Sequence, residues 1–240
     1  MTNSSSRAKT AADYRQALAS GRWFGHLPEG LQVGLLADAQ VLSLQAGERL
    51  FARGDSYDGI YCVVKGVFRT VGFSTGGKEA LLTLIEPYSW FGEVALFDDL
   101  ERTHDVVADH QGEVLRVPAP ALTALLAAHP EYWYWFGLLL SQKMRFAFIA
   151  LEQAALLPAP QRVAQRLVLM AEGYGEWSDR SRRVLPLPQE QLASMLSVSR
   201  QTINHVLRQF EDQNLIRLHY RELGIVDLEG LRRAGEMPHS

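Results

Sequence analysis

Two stretches of this 240-residue chain carry residues whose types and spacing could do chemistry, and in both the chemistry is recognition, not turnover. The first is FGEVALFDDLERT, Phe91 to Thr103. Gly92 has no side chain to keep backbone N–H groups away from an anion. Glu93 can accept hydrogen bonds from a hydroxyl such as that of a ribose. Arg102 offers a planar charged fork that fits phosphate, and Thr103 adds a hydroxyl donor. The same Glu93 and Arg102 could equally form an internal pair in a domain that binds nothing. The second stretch is LPQEQLASMLSVSRQTINHVLR, Leu187 to Arg208. Ser199 is placed to N-cap a helix running from about Arg200 to Gln209. The exposed face of that helix would present Arg200, Gln201, Asn204, His205 and Arg208, which can read guanine and adenine edges in the major groove. Thr202 is expected to touch a phosphate.

The spacing behind the second stretch is that of a helix-turn-helix. With Gln189 as position 1 of a twenty-residue unit, Leu192, Leu196, Val198, Ile203 and Val206 fall at positions 4, 8, 10, 15 and 18. Two crossed helices must bury apolar side chains at those places. Ala193 falls at position 5, where the helices approach closely and only a small side chain fits. Ser197 falls at position 9, usually a glycine site, and predicts a slightly different turn. An ordinary amphipathic helix pair would share the periodicity but has no need of the small residue and the cap together.

Composition narrows the field. Apolar residues make up 47% of the chain and the net charge is −3. A packed core is available throughout, and the charge is too mild for a chain coated in nucleic acid. From Pro158 onward there are 11 Lys+Arg against 10 Asp+Glu, and before it 13 against 17. DNA binding therefore has to rest on local geometry, not on global attraction. The single cysteine, Cys62, excludes an internal disulfide and a multi-cysteine cluster or zinc site within one chain; its place in a strand makes it a buried small hydrophobe. MTNSSSRAKT has no apolar run after it, so no signal peptide is expected. Tyr132 to Leu157, the most apolar region, is broken by Lys143, Arg145 and Glu152. It lacks the roughly 18 unbroken apolar residues of a membrane helix, and a soluble, cytoplasmic protein with no membrane partner is expected.

The elements that must position these groups follow from the patterning. Residues 1 to about 12 read as loose, and Tyr14 to Asp38 as one or two short helices with a face at 31, 33, 35 and 36. From Ala39 to Pro118, short alternating runs divided by Gly or Asp predict an antiparallel β-barrel or jelly roll. One is a hairpin turning at Thr75-Gly76-Gly77. A short helix reaches His129, and a long one begins at Pro130, which suits a first turn. On it Leu140, Met144, Ala147, Leu151 and Ala154 step by 4, 3, 4 and 3, a heptad seam that predicts pairing of two chains. Its opening aromatics, Tyr132, Trp133, Trp135 and Phe136, read as core or dimer contact. Pro158-Ala159-Pro160 reads as a hinge, followed by a helix Gln161 to Glu172 and a charged loop Gly173 to Pro186. After the helix-turn-helix, NLIRLHYRELGIVDL predicts two short strands around Arg221-Glu222, and the tail from Gly235 reads as loose. The expected division is a sensor domain over 13–129, a dimerisation helix over 130–157 and a winged helix-turn-helix over 158–240.

Antiparallel barrel, long pairing helix and winged helix-turn-helix, in that order, resemble the catabolite activator / fumarate-nitrate regulator (CRP/FNR) family of bacterial transcription factors, over about Trp23 to Leu231. FGEVALFDDLERT resembles the family's phosphate-binding cassette, and SVSRQTINHVLRQFEDQNLI, Ser197 to Ile216, resembles its recognition helix and the segment just after it. The resemblance implies an α+β protein that binds double-stranded DNA as a homodimer, with RNA polymerase as a further partner. It implies that Gly92, Glu93, Arg102 and Thr103 hold a cyclic nucleotide effector, with no cofactor required. In cAMP-responsive members a Thr-Ser pair on the long helix contacts adenine across the dimer; those places here hold Ala147 and Phe148. Adenine selectivity is therefore unsupported, and cAMP, cyclic di-GMP or an apolar signal molecule stay open. Gln201 stands where the cAMP activators place a glutamate and His205 where they place an arginine, so the operator should differ inside its half-sites.

Other classes fare worse. The cysteine cluster of iron–sulfur members is absent, and His26, His104, His110 and His129 show no pairing that would hold haem. A cupin-like metal enzyme would need histidines and a carboxylate on adjacent strands, and His104 and His110 are too few. No nucleophile–base pair is visible, so no catalytic residue is assigned. A constitutive DNA-binding dimer with a vestigial pocket is the nearer alternative.

Overall fold

The computed structural model describes residues 10–77, 79–173, 183–220 and 222–236. Of the sequence-based expectations, the loose start up to residue 9, Lys78 of the hairpin, 174–182 of the charged loop, Arg221 at the wing turn and the tail 237–240 lie outside the described residues. The chain forms two compact units, Met1–Thr70 with Leu84–Leu140 and Val71–Thr83 with Ser141–Ser240.

The first unit opens with a 3-10 turn, Ala11–Tyr14, and three helices: α1 (Arg15–Leu18), α2 (Arg22–Gly25) and α3 (Glu29–Ala37). Leu31, Leu35 and Leu36 are buried as the face predicted, but Val33 points out at 49% exposure. Strands β1 (Gln40–Leu44), β2 (Arg49–Phe51), β3 (Gly59–Lys65), β4 (Phe68–Phe73), β5 (Glu79–Ile85) and β6 (Trp90–Phe91) follow, then the short helix α4 (Val94–Asp98). Strands β7 (Asp105–Ala108) and β8 (Gly112–Pro118) lead to helix α5 (Ala119–Ala128). The strands order as β1-β8-β3-β6 and β2-β7-β4-β5, two open four-stranded sheets, so the jelly roll forms and no barrel closes.

Strand β3 shows why the layers assemble. All of Ile60 to Val64 is buried. Ile60, Cys62 and Val64 face a cluster with Trp23, Phe24, Leu35, Leu122 and Phe136 from the helices. Tyr61 and Val63 face the other way, into a cluster with Phe68, Phe91, Val106 and Val114. The period-two alternation of a strand thus puts one apolar set on each side. Each such large side chain contributes about 1.5–3 kcal/mol through burial. Cys62 is fully buried, as expected of a small hydrophobe.

A 3-10 turn, Pro130–Tyr132, precedes helix α6 (Trp133–Leu156), which runs from the first unit into the second. Phe136 and Leu139 are buried, whereas Met144, Phe148, Ile149, Leu151 and Leu156 are 41–66% exposed. Helix α7 (Ala159–Ala171) starts two residues earlier than its periodicity suggested, because Pro158 serves as its N-cap and Pro160 sits in its first turn. Then come β9 (Val184–Leu185), α8 (Gln189–Met195), α9 (Arg200–Asp212), β10 (Ile216–His219), β11 (Glu222–Ile225) and α10 (Leu228–Gly235). The predicted pair of wing strands is present, and β9 adds a third, in the order β10-β11-β9.

Sequence patterning overlooked α10. Asp227 caps it by accepting from the Gly230 N–H at 2.9 Å, and Leu228 and Leu231 are buried. It packs on α7, where Gln165 donates to the Gly235 carbonyl at 2.6 Å and Arg232 pairs with Glu172. No described helix is long and apolar enough to cross a membrane.

Candidate functional site

The cassette is assembled by one strand pairing. In the antiparallel β3–β6 pair Tyr61 faces Phe91 and Cys62 faces Trp90. Continuing that register sets Ile60 opposite Gly92 and Gly59 opposite Glu93, with Asp58 just ahead of β3. Gly92 has φ +89, and a Cβ there would lie 2.9 Å from Arg102 Nη1 and 3.4 Å from the Gly59 carbonyl oxygen. Only glycine admits both the left-handed backbone and the approach of the guanidinium. Glu93 is buried at 2% exposure and precedes α4 as its N-cap residue.

Arg102 lies at the centre of this region. Its side chain is 3% exposed. Nη2 donates to Asp58 Oδ1 at 2.7 Å and to the Gly59 carbonyl at 2.6 Å, and Nη1 donates to the Gly92 carbonyl at 2.9 Å. Its guanidinium carbon sits 4.5 Å from the Phe51 ring centroid, 5.2 Å from Tyr57 and 5.6 Å from Tyr61. Such faces attract a cation. Nε is buried and makes no hydrogen bond. The Arg102 backbone is tied to the preceding loop as well: its N–H donates to the Asp55 carbonyl and its own carbonyl accepts from Gly54.

Asp58 is the residue that sequence reasoning missed. Besides Arg102 it accepts from the Tyr61 hydroxyl at 2.5 Å on Oδ2, with Arg116 Nη1 at 3.5 Å. Burial alone would push its carboxyl up. The hydrogen bonds from Tyr61 and Arg102 and the charges of Arg102 and Arg116 outweigh that and hold it below the ordinary value. Burial, and then the bond to Asp58, pushes the Tyr61 hydroxyl well up, so it stays a donor; burial raises Tyr57 to about 12. A buried arginine requires a counter-charge, and an acid immediately ahead of the uncharged run Gly59–Val64 is the signal that could have identified one. The internal pair considered for Arg102 therefore forms, but with Asp58.

Thr103 is exposed. Its carbonyl accepts from Arg53 Nε at 2.7 Å, and its hydroxyl lies 3.0 Å from His104 Nδ1. Ala147 and Phe148 are exposed on α6 in the second unit. Phe148 lines an open groove of about 590 Å³ with Ser141, Met144, Arg145, Ile149 and Glu152. Among the described residues no group of three His, Cys, Asp or Glu side chains is arranged to hold a metal ion.

The residue types of the cassette fit a cyclic nucleotide in part. Gly92 and Arg102 meet and Glu93 is buried next to Gly92 in the chain, but the arginine is already engaged by a carboxylate.

The helix pair α8–α9 is built as its spacing requires. Leu192, Ala193, Leu196, Ile203 and Val206 are buried. Ser199 Oγ accepts from the Thr202 N–H at 3.0 Å and lies 2.8 Å from the Thr202 hydroxyl. Thr202 is half-buried, its hydroxyl turned to the cap. Arg200, Gln201, His205 and Arg208 are exposed and Asn204 half-buried, while Ile203, Val206, Leu207 and Phe210 face inward. Ser197 corrects one expectation. It takes φ +52, with Val198 N–H bonded to the Ala193 carbonyl and Ser197 N–H to that of Ser194. This is the turn a glycine would make, held by a serine. Arg162 adds a hydrogen bond to the Leu196 carbonyl. Leu81, in the part of β5 that belongs to the same unit, donates its N–H to Ser194 Oγ at 3.1 Å.

Comparison with known proteins agrees with this architecture. A cyclic nucleotide-binding domain family matches residues 41–129, and a Crp-like helix-turn-helix domain family matches residues 161–234. The chain is 28% identical to the CRP-like cAMP-activated global transcriptional regulator of Mycobacterium tuberculosis, over 83% of this chain and 89% of the relative. It is 29% identical to the cyclic AMP receptor protein of Thermus thermophilus, over 81% of this chain and 87% of the relative. The solved structure of FixK2 from Bradyrhizobium japonicum, 17% identical, shares the fold with a TM-score of 0.74 over 84% of this chain and 99% of that one.

Proposed function

The chain belongs to the catabolite activator / fumarate-nitrate regulator family of DNA-binding transcription regulators, and from that premise we propose that it binds an inverted-repeat operator as a homodimer and senses a cyclic nucleotide through its cassette. In this reading residues 13–129 act as the sensor, 130–157 as the pairing helix and 158–240 as the reading head. The observation that carries it is the capped helix α9, whose outward face presents Arg200, Gln201, His205 and Arg208 while its apolar face is buried. Arg200 reads a guanine, Gln201 and His205 set the rest of the half-site, and Asn204 and Arg208 complete the face. Ser199 and Thr202 fix the helix start and approach the phosphates. Twofold symmetry sets the half-sites roughly 34–36 Å apart. RNA polymerase is the further partner of this reading.

In the cassette Arg102 serves the phosphate, Glu93 a ribose hydroxyl, and Gly92 and Thr103 the approach around them, while Ala147 and Phe148 offer a base an apolar or stacking surface in place of hydroxyls. Both relatives described above are named for cAMP, and cAMP and cyclic di-GMP are the effectors to test. Differential affinity for the DNA-competent arrangement would make the effector a switch. The internal Arg102–Asp58 pair favours a second reading, a regulator whose cassette stays closed and whose DNA binding is constitutive.

Titration of the full chain with cAMP, cyclic GMP and cyclic di-GMP, followed by calorimetry and operator binding, separates the two. Binding that changes DNA affinity is the expected result; no heat and no change with any of them leaves the constitutive reading. For the reading head, Arg200→Ala should cost about 1–3 kcal/mol on operator DNA and relax preference at one base pair. Equal weakening on random DNA would reassign Arg200 to phosphate.

A further inference from the structure

The hydrogens of Arg102 are spent in a way that bears on what its site can accept. A guanidinium has two edges able to grip two oxygens at once, Nε with Nη2 and Nη1 with Nη2. Either edge needs a hydrogen of Nη2. Both Nη2 hydrogens are taken here, one by Asp58 Oδ1 and one by the Gly59 carbonyl. The hydrogens left over, one on Nε and one on Nη1, lie on different edges and cannot form a fork. Access is asymmetric too. The Arg102 side chain is 3% exposed and lies against Phe51, whereas the Asp58 side chain is 41% exposed. An anion arriving from solvent meets the Asp58 carboxylate before it meets the guanidinium.

We propose that Asp58 is an internal counter-anion closing the cassette, and that a cyclic nucleotide binds by exchanging its phosphate for the Asp58 carboxylate on Arg102. The inference rests on the cassette reading given above. Two features make the exchange feasible. Arg116 Nη1, 3.5 Å from Asp58 Oδ2, is a second cation ready to keep the displaced carboxylate paired. The other carboxylate oxygen is held in the closed arrangement by the Tyr61 hydroxyl, and breaking that bond lets the carboxylate swing away. The exchange would also reach the chain around it, because Gly54 and Asp55 are hydrogen-bonded to the Arg102 backbone. Occupancy of the cassette would thereby be reported to the loop ahead of β3.

The test is calorimetry on the full-length wild type, Asp58→Asn and Tyr61→Phe, titrated with cAMP, cyclic GMP and cyclic di-GMP, with circular dichroism as the check on folding. Removing the competing charge should tighten nucleotide binding by Asp58→Asn roughly tenfold or more, as expected for loss of one charge-assisted hydrogen bond. Tyr61→Phe frees one carboxylate oxygen and should tighten binding several-fold. If Asp58→Asn does not fold, the tyrosine variant decides. A nucleotide that binds the wild type and binds the variants equally or more weakly overturns the exchange but leaves the nucleotide reading standing. Absence of binding in every folded form removes the nucleotide reading and the exchange together.

Discussion

At the scale of single residues the cassette turns on a balance between burial and charge. Arg102 is stable inside the fold because a carboxylate, two carbonyls and three aromatic faces replace the water it lost. Asp58, its partner, is held below its ordinary value, and the sign of the linkage follows. Its contribution to stability is full above an unfolded-state value of about 4 and is lost as pH falls through the lower folded value. Melts of the wild type between about pH 5 and pH 3 should therefore show stability falling as the solution is acidified, and Asp58→Asn should flatten that fall. An unchanged acid limb in the variant would mean that other carboxylates control it. Gly92 and Arg102 were legible in the sequence because both belong to a recognisable stretch. Asp58 was not, because it lies 44 positions away in the chain from Arg102 and meets it only once the chain is folded.

Among the elements, the helix-turn-helix shows how far spacing alone can reach. Leu192, Leu196, Ile203 and Val206, the small Ala193 and the Ser199 cap are where the pattern placed them, and Val198 alone is half-buried, because a helix pair of fixed crossing leaves few solutions. The turn is different. Ser197 holds the left-handed conformation at φ +52 without being glycine, at a cost of roughly 1–2 kcal/mol in backbone sterics. Ser197→Gly should recover part of that, stabilising the second unit by about 0.5–1 kcal/mol after the extra chain entropy of glycine. Chemical denaturation followed by a probe in that unit measures it, and a destabilised variant would mean the serine hydroxyl makes a compensating bond. Helix α10 was overlooked because two leucines three apart, behind an aspartate cap, are too short a pattern to stand out from the wing.

For the whole molecule, the open question in a single chain is the long helix. Beyond Leu139, α6 leaves Met144, Phe148, Ile149 and Leu151 at 41–66% exposure, more contiguous apolar surface than a solvated helix usually carries. The proposed homodimer covers it. Leu151, 66% exposed and on the heptad seam, is the place to break it. Leu151→Glu should convert a dimer to monomer in sedimentation velocity and abolish tight operator binding, with the helical content unchanged. A wild type that sediments as a monomer, or a variant that remains dimeric, would place the pairing surface elsewhere.

What the sequence determined by itself was everything governed by local repetition: the strand-rich first part, the long helix and the helix-turn-helix with its cap; the family came from the resemblance of two motifs. Periods of 2, 3.5 and 3.6 are written in neighbouring residues and need no tertiary information. What only the tertiary structure decided was which charges meet. The backbone bonds of Arg102 to Gly54 and Asp55 bring it beside Asp58, and its guanidinium pairs with the protein's own carboxylate. The φ of Ser197 likewise follows from how α8 and α9 must cross, not from the residue placed between them. Long-range pairing sets both, and no short stretch of chain contains it.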